Sequence, residues 1–332
     1  MEIEVKTFNN CINTSMKNLS HLLLGLFLIL FLFSCEKEPI DSSFYIEGMT
    51  AENYPRVDGS TSTAPLQTLI ACKLLNCRYE WRQLLHAYFT WEIAPNYDDV
   101  PRSFFEERIK TSQTHHSFIN LIDKKADFIL THRTVSDDEK NYAGQADVSL
   151  TETPVAHDAF IFIVNEENPV KSLTHKQIQD IYMGKITNWK EVGGNDMPIK
   201  PYVRNQNSGS QELMETIVMK GLQMPEWSEE AELSSMMLAF TQVRSEENAI
   251  CYTVYYYKEQ IVRDAERVKT LSVNGIYPDK STLSSQTYPY MADVYAVIRS
   301  DLGRLSNAYK LYELLQTKAG KSVIAQSGYI PN

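Results

Sequence analysis

The chain has 332 residues, which is long for a single ordinary core and suggests about two domains. Its composition, 43% apolar and 22% charged, is that of a folded globular protein. A formal net charge of −10 argues against nucleic acid or anionic lipid as partner, so any anion site has to be assembled locally from backbone dipoles and one or two cations.

Residues 22–33, LLLGLFLILFLF, form an apolar run too short to span a bilayer comfortably and of the length of a signal-peptide core. It ends at Ser34-Cys35, which resembles a lipobox, and the expectation is cleavage that leaves Cys35 as a lipidated N-terminus. Residues 1–15 are polar and carry Glu2 and Glu4, so Met16-Lys17 makes the better start for such a leader. Losing residues 1–34 removes two basic and two acidic side chains and leaves the charge balance at −10. A polar tether is expected at 36–52. Beyond Cys35 the mature chain has Cys72, Cys77 and Cys251, an odd number that rules out a complete disulfide framework. Cys72 and Cys77 lie five apart in a helical pattern, which points them in different directions, and all three read as buried thiols.

After the tether, Val57 ends a short strand, and Gly59-Ser60-Thr61-Ser62-Thr63 makes a hydroxyl-rich loop. Pro65 suits the first turn of a helix with Leu66, Leu69, Ile70 and Leu74 on one face. Residues 79–110 are aromatic and irregular and receive no assignment. A second hydroxyl cluster (Thr111, Ser112, Thr114) precedes a short helix and a strand over 126–130. DAFIFIVN, 158–165, reads as a fully buried strand of a parallel sheet. Thr174 and Gln177 form a capping box for a helix that Gly184 stops. A strand over 199–204 leads into a helix over 208–220, which ends at Gly221. Strands follow at 249–256, 268–273 and 293–298, then an amphipathic helix at 304–318. Alternating strands and helices predict an α/β fold with mixed, mostly parallel sheets and ligands beyond the carboxyl ends of strands.

Several motifs fail on context. Ala319-Gly320-Lys321-Ser322 ends like a phosphate-binding NTPase loop, but position 315 is Leu315 where glycine is needed, and the segment follows a helix. No G-x-S-x-G or H-x-x-x-H occurs, so neither a serine hydrolase nor a metal centre has sequence support. Tyr255-Tyr256-Tyr257 reads as strand packing. PYVRNQNSGSQELME, 201–215, holds more chemistry. A helix start presents unpartnered N–H groups and positive potential, and Arg204 adds a fork of donors suited to phosphate-like oxygens. The competing reading is an ordinary cap, with Ser208 as N-cap and Gln211 at N3.

GSTSTAPL, TSQT, ADFILTHR, DAFIFIVNEENP, LTHKQIQDIYMGKITNWKEVGG, VRNQNSGSQE and the closing GYIPN occur in order from about 57 to 332. Together they resemble the phosphate-binding proteins of ABC transporters. The resemblance implies a two-lobed type II periplasmic-binding-protein fold, with lobe one at 53–150 plus 262–332, lobe two at 151–261, and two crossover strands as hinge. It implies an oxyanion held in the cleft by Thr63 and the Ala64 backbone, by Ser112 or Thr114, and by Arg204, Ser208, Gly209 and Ser210. It implies no cofactor, no metal and no catalysis. The partners implied are inorganic phosphate or a similar anion and a membrane permease, with the protein a monomer anchored in the cell envelope through Cys35. A sensing or adhesion lipoprotein of the same fold is the alternative.

The chain departs from the family pattern at three places. His132 stands where an acidic residue would accept the phosphate proton and reject sulfate, Gln206 replaces an acid two residues after Arg204, and Cys251 replaces a strand glycine. A histidine lining the cleft predicts sulfate binding that weakens as pH rises from roughly 6 to 8, with a flat profile in His132→Gln.

Overall fold

The computed structural model describes residues 43–84 and 90–332, and the expected leader and Cys35 lie outside the described residues. β1 (Val57–Gly59) leads through a 3-10 turn at Thr61–Thr63 into α1 (Ala64–Leu74), with Pro65 in the first turn as expected. The unassigned region contains an antiparallel pair, β2 (Tyr79–Gln83) with β3 (Trp91–Pro95), and then α2 (Arg102–Arg108). Next come α3 (Thr114–Ile122), β4 (Phe128–Thr131), α4 (Asp137–Gln145) and the long β5 (Leu150–Asn165).

β6 (Ser172–Leu173) precedes α5 (His175–Tyr182), which carries the predicted Thr174–Gln177 capping box and stops before Gly184 at φ 70°. The expected strand at 199–204 divides into β7 (Lys200–Pro201) and β8 (Val203–Arg204). The helix beyond it starts as α6 (Gly209–Leu213), widens to a π-helix at Met214–Met219, and ends at left-handed Lys220 and Gly221. β9 (Glu232–Leu233), α7 (Met236–Ser245) and β10 (Ala249–Val254) complete this part. The remainder is β11 (Val268–Thr270), β12 (Ser272–Val273), α8 (Lys280–Ser284), β13 (Met291–Arg299), α9 (Asn307–Leu315), α10 (Lys318–Ser327) and β14 (Ile330–Pro331).

The main sheet has the order β1-β4-β13-β5-β10-β7, with β11 and β14 also paired to β5. Its outer pairs β1–β4 and β7–β10 are parallel, while every neighbour of β5 runs antiparallel to it. The run at 158–165 is buried as predicted. Its direction differs from the prediction because an unbroken apolar run reports burial on both faces and carries no information about neighbour direction. β5 pairs with β13 through Ala159 and with β10 from Phe160 onward, so a single strand runs through both halves of the sheet.

The cysteine expectation is corrected in one respect. Cys72, Cys77 and Cys251 are buried thiols, but helix α1 ends between the first two. The backbone reverses at Asn76 (φ 52°) and brings Cys77 back onto Cys72, where an uninterrupted helix would have separated them.

Candidate functional site

The ends of β1, β4 and β8, with the helices that follow β1 and β8 and the start of α3, converge on one small cavity. Thr61, Gln113, Thr114, His132, Arg204, Ser208, Gly209, Ser210 and Met236 line it, and its volume of about 10 Å³ is room for about one water molecule. Thr114, His132, Arg204, Ser208, Gly209 and Ser210 among the predicted residues are brought together here. Thr63, Ala64 and Ser112 are not.

Local contacts account for each exception. Thr63 is fully buried, and its hydroxyl donates toward the carbonyl oxygens of Ser60 (2.8 Å) and Leu130 (3.0 Å) while accepting from Gln67 Nε2 (2.9 Å). It closes the 3-10 turn and has no hydrogen left for a ligand. Gly59 permits this loop, since a Cβ there would stand 2.3 Å from the Leu130 oxygen. Ala64 borders a different, largely apolar cavity of about 240 Å³ beside Trp91 and Tyr257. Thr61, two residues earlier than predicted, faces the site. From the far end of the chain, the Tyr329 hydroxyl donates to the Ser62 carbonyl (3.0 Å) and braces the same turn.

In the second loop, the Ser112 N–H donates to Asp58 Oδ1 (2.8 Å), and Asn120 Nδ2 donates to Asp58 Oδ2 (2.8 Å) and toward Ser112 Oγ (3.3 Å). Ser112 therefore ties the loop to β1, and Thr114 supplies the hydroxyl at the cavity. Thr114 Oγ1 lies 2.8 Å from Ser60 Oγ. Between them Gln113 adopts φ 67° and ψ 168°, a region that side chains rarely occupy. Strain of this kind gathers at ligand clamps, and no sequence signal marked Gln113.

Arg204 is 5% exposed. Its Nε donates to the Leu233 carbonyl (2.9 Å), and its backbone N–H is held by the Tyr252 hydroxyl (2.8 Å) and Gln211 Oε1 (3.3 Å). Among the described residues no carboxylate pairs with it, and burial lowers its pKa. The other deeply buried arginine at the site makes the contrast. Arg133 is bound bidentately by the fully buried Glu139, at 2.7 and 2.8 Å, so its charge is neutralised within the protein. Glu139 belongs with His115 and Asp138 to a group of metal-type donors, but Arg133 already occupies its carboxylate.

Ser208 accepts from the Gln211 N–H (3.1 Å), which makes it the N-cap of α6. The Gln211 side chain does not return to the cap and instead supports Arg204. Residues 201–215 thus contain an ordinary cap, and Ser208, Gly209 and Ser210 also line the cavity beside Arg204. Gln206 faces a larger chamber of about 820 Å³ on another side of Arg204, with Trp227 and Glu232.

His132 lines the cavity and is 3% exposed. Its Nδ1 lies 3.4 Å from Ser62 Oγ, and Nε2 has no partner among the described residues. Burial first, then the charges of Arg133 and Arg204, pushes its pKa down to about 3. The imidazole is therefore neutral at physiological pH.

Residues 107–312 match a family model described as a PBP superfamily domain. The phosphate-binding protein PstS of Bacillus subtilis (strain 168) is 25% identical over 183 residues, covering 55% of this chain and 58% of that protein. PstS of Borreliella burgdorferi is 24% identical over 184 residues, covering 54% and 65%. The chain therefore spans only about three fifths of the length of these curated relatives. Among solved structures, a phosphate ABC transporter substrate-binding protein from Clostridium perfringens with bound phosphate superposes with a TM-score of 0.61. It is 24% identical and covers 84% of this chain and 100% of that one. An ABC-type phosphate transport receptor from Vibrio cholerae gives 0.58 at 21% identity, covering 83% and 98%. These superpositions identify the fold as that of the type II periplasmic binding proteins. With the family model matched over most of its length, the chain belongs to the PBP superfamily.

Proposed function

We propose that the protein is a solute-binding protein that captures inorganic phosphate, or a related tetrahedral oxyanion, and hands it to an ABC-type importer without making or breaking a bond. The observation that carries this reading is the buried Arg204, without a carboxylate partner among the described residues, at a cavity edged by hydroxyls and helix starts. A desolvated cation is costly to hold unpaired, and an oxyanion is the partner that its fork and the N–H groups of 208–210 fit. Thr61, Thr114, His132, Arg204, Ser208, Gly209 and Ser210 contact the anion, while Thr63, Ala64 and Ser112 hold the loops. The two lobes, 53–150 plus 262–332 and 151–261, move about β5 and the chain near 261, and their closure buries the anion. Calorimetry with phosphate, arsenate and sulfate tests the reading. One-to-one binding of at least one is expected, and no heat from any of the three would end it.

The pH response distinguishes the role of His132. An anion raises the histidine pKa above its ligand-free value of about 3, so affinity grows as pH falls through the bound-state value and levels off near the ligand-free one. With a shift of ~2–3 units from a close opposite charge, the window lies below about pH 6, lower than the sequence alone suggests. Sulfate keeps a constant charge there. Its affinity is expected to be flat between roughly pH 7 and 8 and to rise below about pH 6, and His132→Gln is expected to abolish the rise. Equal profiles for the two proteins would remove His132 from the site.

Lipid anchoring through Cys35 places the protein at the membrane beside its permease; no helix among the described residues is long and apolar enough to cross one. Cys35→Ser is expected to eliminate incorporation of a clickable fatty acid and to leave anion affinity unchanged. Wild-type labelling of that variant would disprove the lipobox.

A further inference from the structure

Helix α1 ends in a reversed turn built by two bonds. The Asn76 N–H reaches the Lys73 carbonyl (3.4 Å), and the Cys77 N–H reaches the Cys72 carbonyl (2.8 Å) across left-handed Asn76 at φ 52°. This is the Schellman arrangement, which sets the third-from-last helical residue against the second residue beyond the cap. That contact is ordinarily between two apolar side chains. Here both positions are cysteine. In an uninterrupted helix a five-residue spacing would turn the two side chains about 140° apart.

Both residues are buried, Cys72 fully and Cys77 at 5% exposure. The Cys77 N–H bond to the Cys72 carbonyl (2.8 Å) holds the two residues side by side, and the Cys77 thiol lies 3.3 and 3.4 Å from the carbonyl oxygens of Arg78 and Asn96. The site therefore consists of a thiol pair and backbone oxygens, enclosed by the helix end and the start of β2. We propose that Cys72 and Cys77 form an intrachain disulfide when the protein folds under oxidising conditions. The bond locks the end of the helix whose opposite end begins at the anion-binding loop.

The electrons go to a small disulfide such as oxidised glutathione. The Cys77 thiolate attacks one of its sulfurs and expels one glutathione thiol. The Cys72 thiolate then attacks the Cys77 sulfur of the mixed disulfide and expels the second. Two protein protons are lost, two electrons are transferred, and two glutathione thiols form. Burial raises the pKa of both thiols in the folded protein, so thiolate is scarce there and the exchange belongs to folding, before the turn closes.

Trypsin separates the two cysteines, since cleavage after Arg56, Lys73 and Arg78 yields peptides 57–73 and 74–78. The full chain is refolded from denaturant in a glutathione redox buffer, alkylated, and digested without reductant. Peptides 57–73 and 74–78 are expected to appear mainly as one joined species that dithiothreitol splits and Cys77→Ser lacks. The oxidised protein is expected to melt ~3 °C or more above the reduced one, with phosphate affinity the same in both. Recovery of both peptides as separately alkylated species, or joined to any other cysteine, would overturn the assignment. Peptide mapping of the wild type decides the matter even if the variant folds poorly.

Discussion

Replacing Arg204 with alanine is expected to weaken oxyanion binding by about 2–5 kcal/mol, ~30-fold or more in Kd, while the fold survives. The two halves of this expectation have one cause. Arg204 is buried and lacks a carboxylate among the described residues, so in the ligand-free protein it carries a desolvation cost that only an anion offsets. Removing it takes away that cost together with two bonds, to the Leu233 carbonyl (2.9 Å) and toward Asn205 Oδ1 (3.4 Å). The ligand-free variant should therefore melt at or slightly above the wild-type temperature. Millimolar phosphate should raise the wild-type Tm by mass action and raise the variant's much less. Arg204→Lys should recover only part of the affinity, because a point charge cannot present two parallel donors. Arg133→Ala is the contrast: it strands the buried Glu139 carboxylate, so the loss should appear in stability. Wild-type phosphate affinity in Arg204→Ala would refute the site itself.

The third loop was legible in the sequence because its signals are local. A strand ending in arginine, a Ser-Gly-Ser and an apolar-periodic run place a cation and a helix start together without reference to the rest of the chain. The first loop was legible only as a loop. Five small residues stand in a row at 59–63, and the contact that selects Thr61 and turns Thr63 inward is the Leu130 carbonyl, 67 residues away from Thr63. In the second loop Asp58 makes the same kind of choice, holding Ser112 and leaving Thr114 at the cavity. The fold followed the same division. The capping box at Thr174 and the burial of 158–165 were local patterns, whereas the antiparallel neighbours of β5 depend on strands from 249 onward. The β2–β3 pair escaped prediction because its strands are short and have no alternating apolar face to mark them. Cys72 and Cys77 were misjudged for a geometric reason. A helical wheel does not indicate where the helix stops, and Asn76 stops it between them.

Gly209→Ala is expected to weaken oxyanion binding by about 1–3 kcal/mol, roughly 5- to 150-fold, without removing any charge or donor. A Cβ at Gly209 would stand 2.3 Å from Thr114 Oγ1 and 2.7 Å from His132 Nε2. Neither neighbour yields easily: Thr114 is 2% exposed and bonded to Ser60 Oγ, and His132 is 3% exposed with Arg133 held by Glu139 beside it. The methyl group must therefore push the start of α6 away from the start of α3 and the end of β4. Under the proposed two-lobe mechanism, those are the surfaces that meet when the anion is enclosed. The effect should then fall on closure. In small-angle scattering, the wild type is expected to contract on adding phosphate, and Gly209→Ala is expected to stay at its ligand-free radius until phosphate is raised in proportion to the lost affinity. Arg204→Ala should contract only at phosphate concentrations ~30-fold or more above those the wild type needs, because it lacks the charge that draws the anion in. Thr114→Ala in the Gly209→Ala background removes the nearer obstacle and should restore part of the contraction, giving the two positions a coupling that distant sites do not show. If Gly209→Ala binds phosphate within twofold of wild type and contracts equally, the close approach of α6 to Thr114 and His132 is not required for binding, and the closure mechanism fails while the assignment of Arg204 stands.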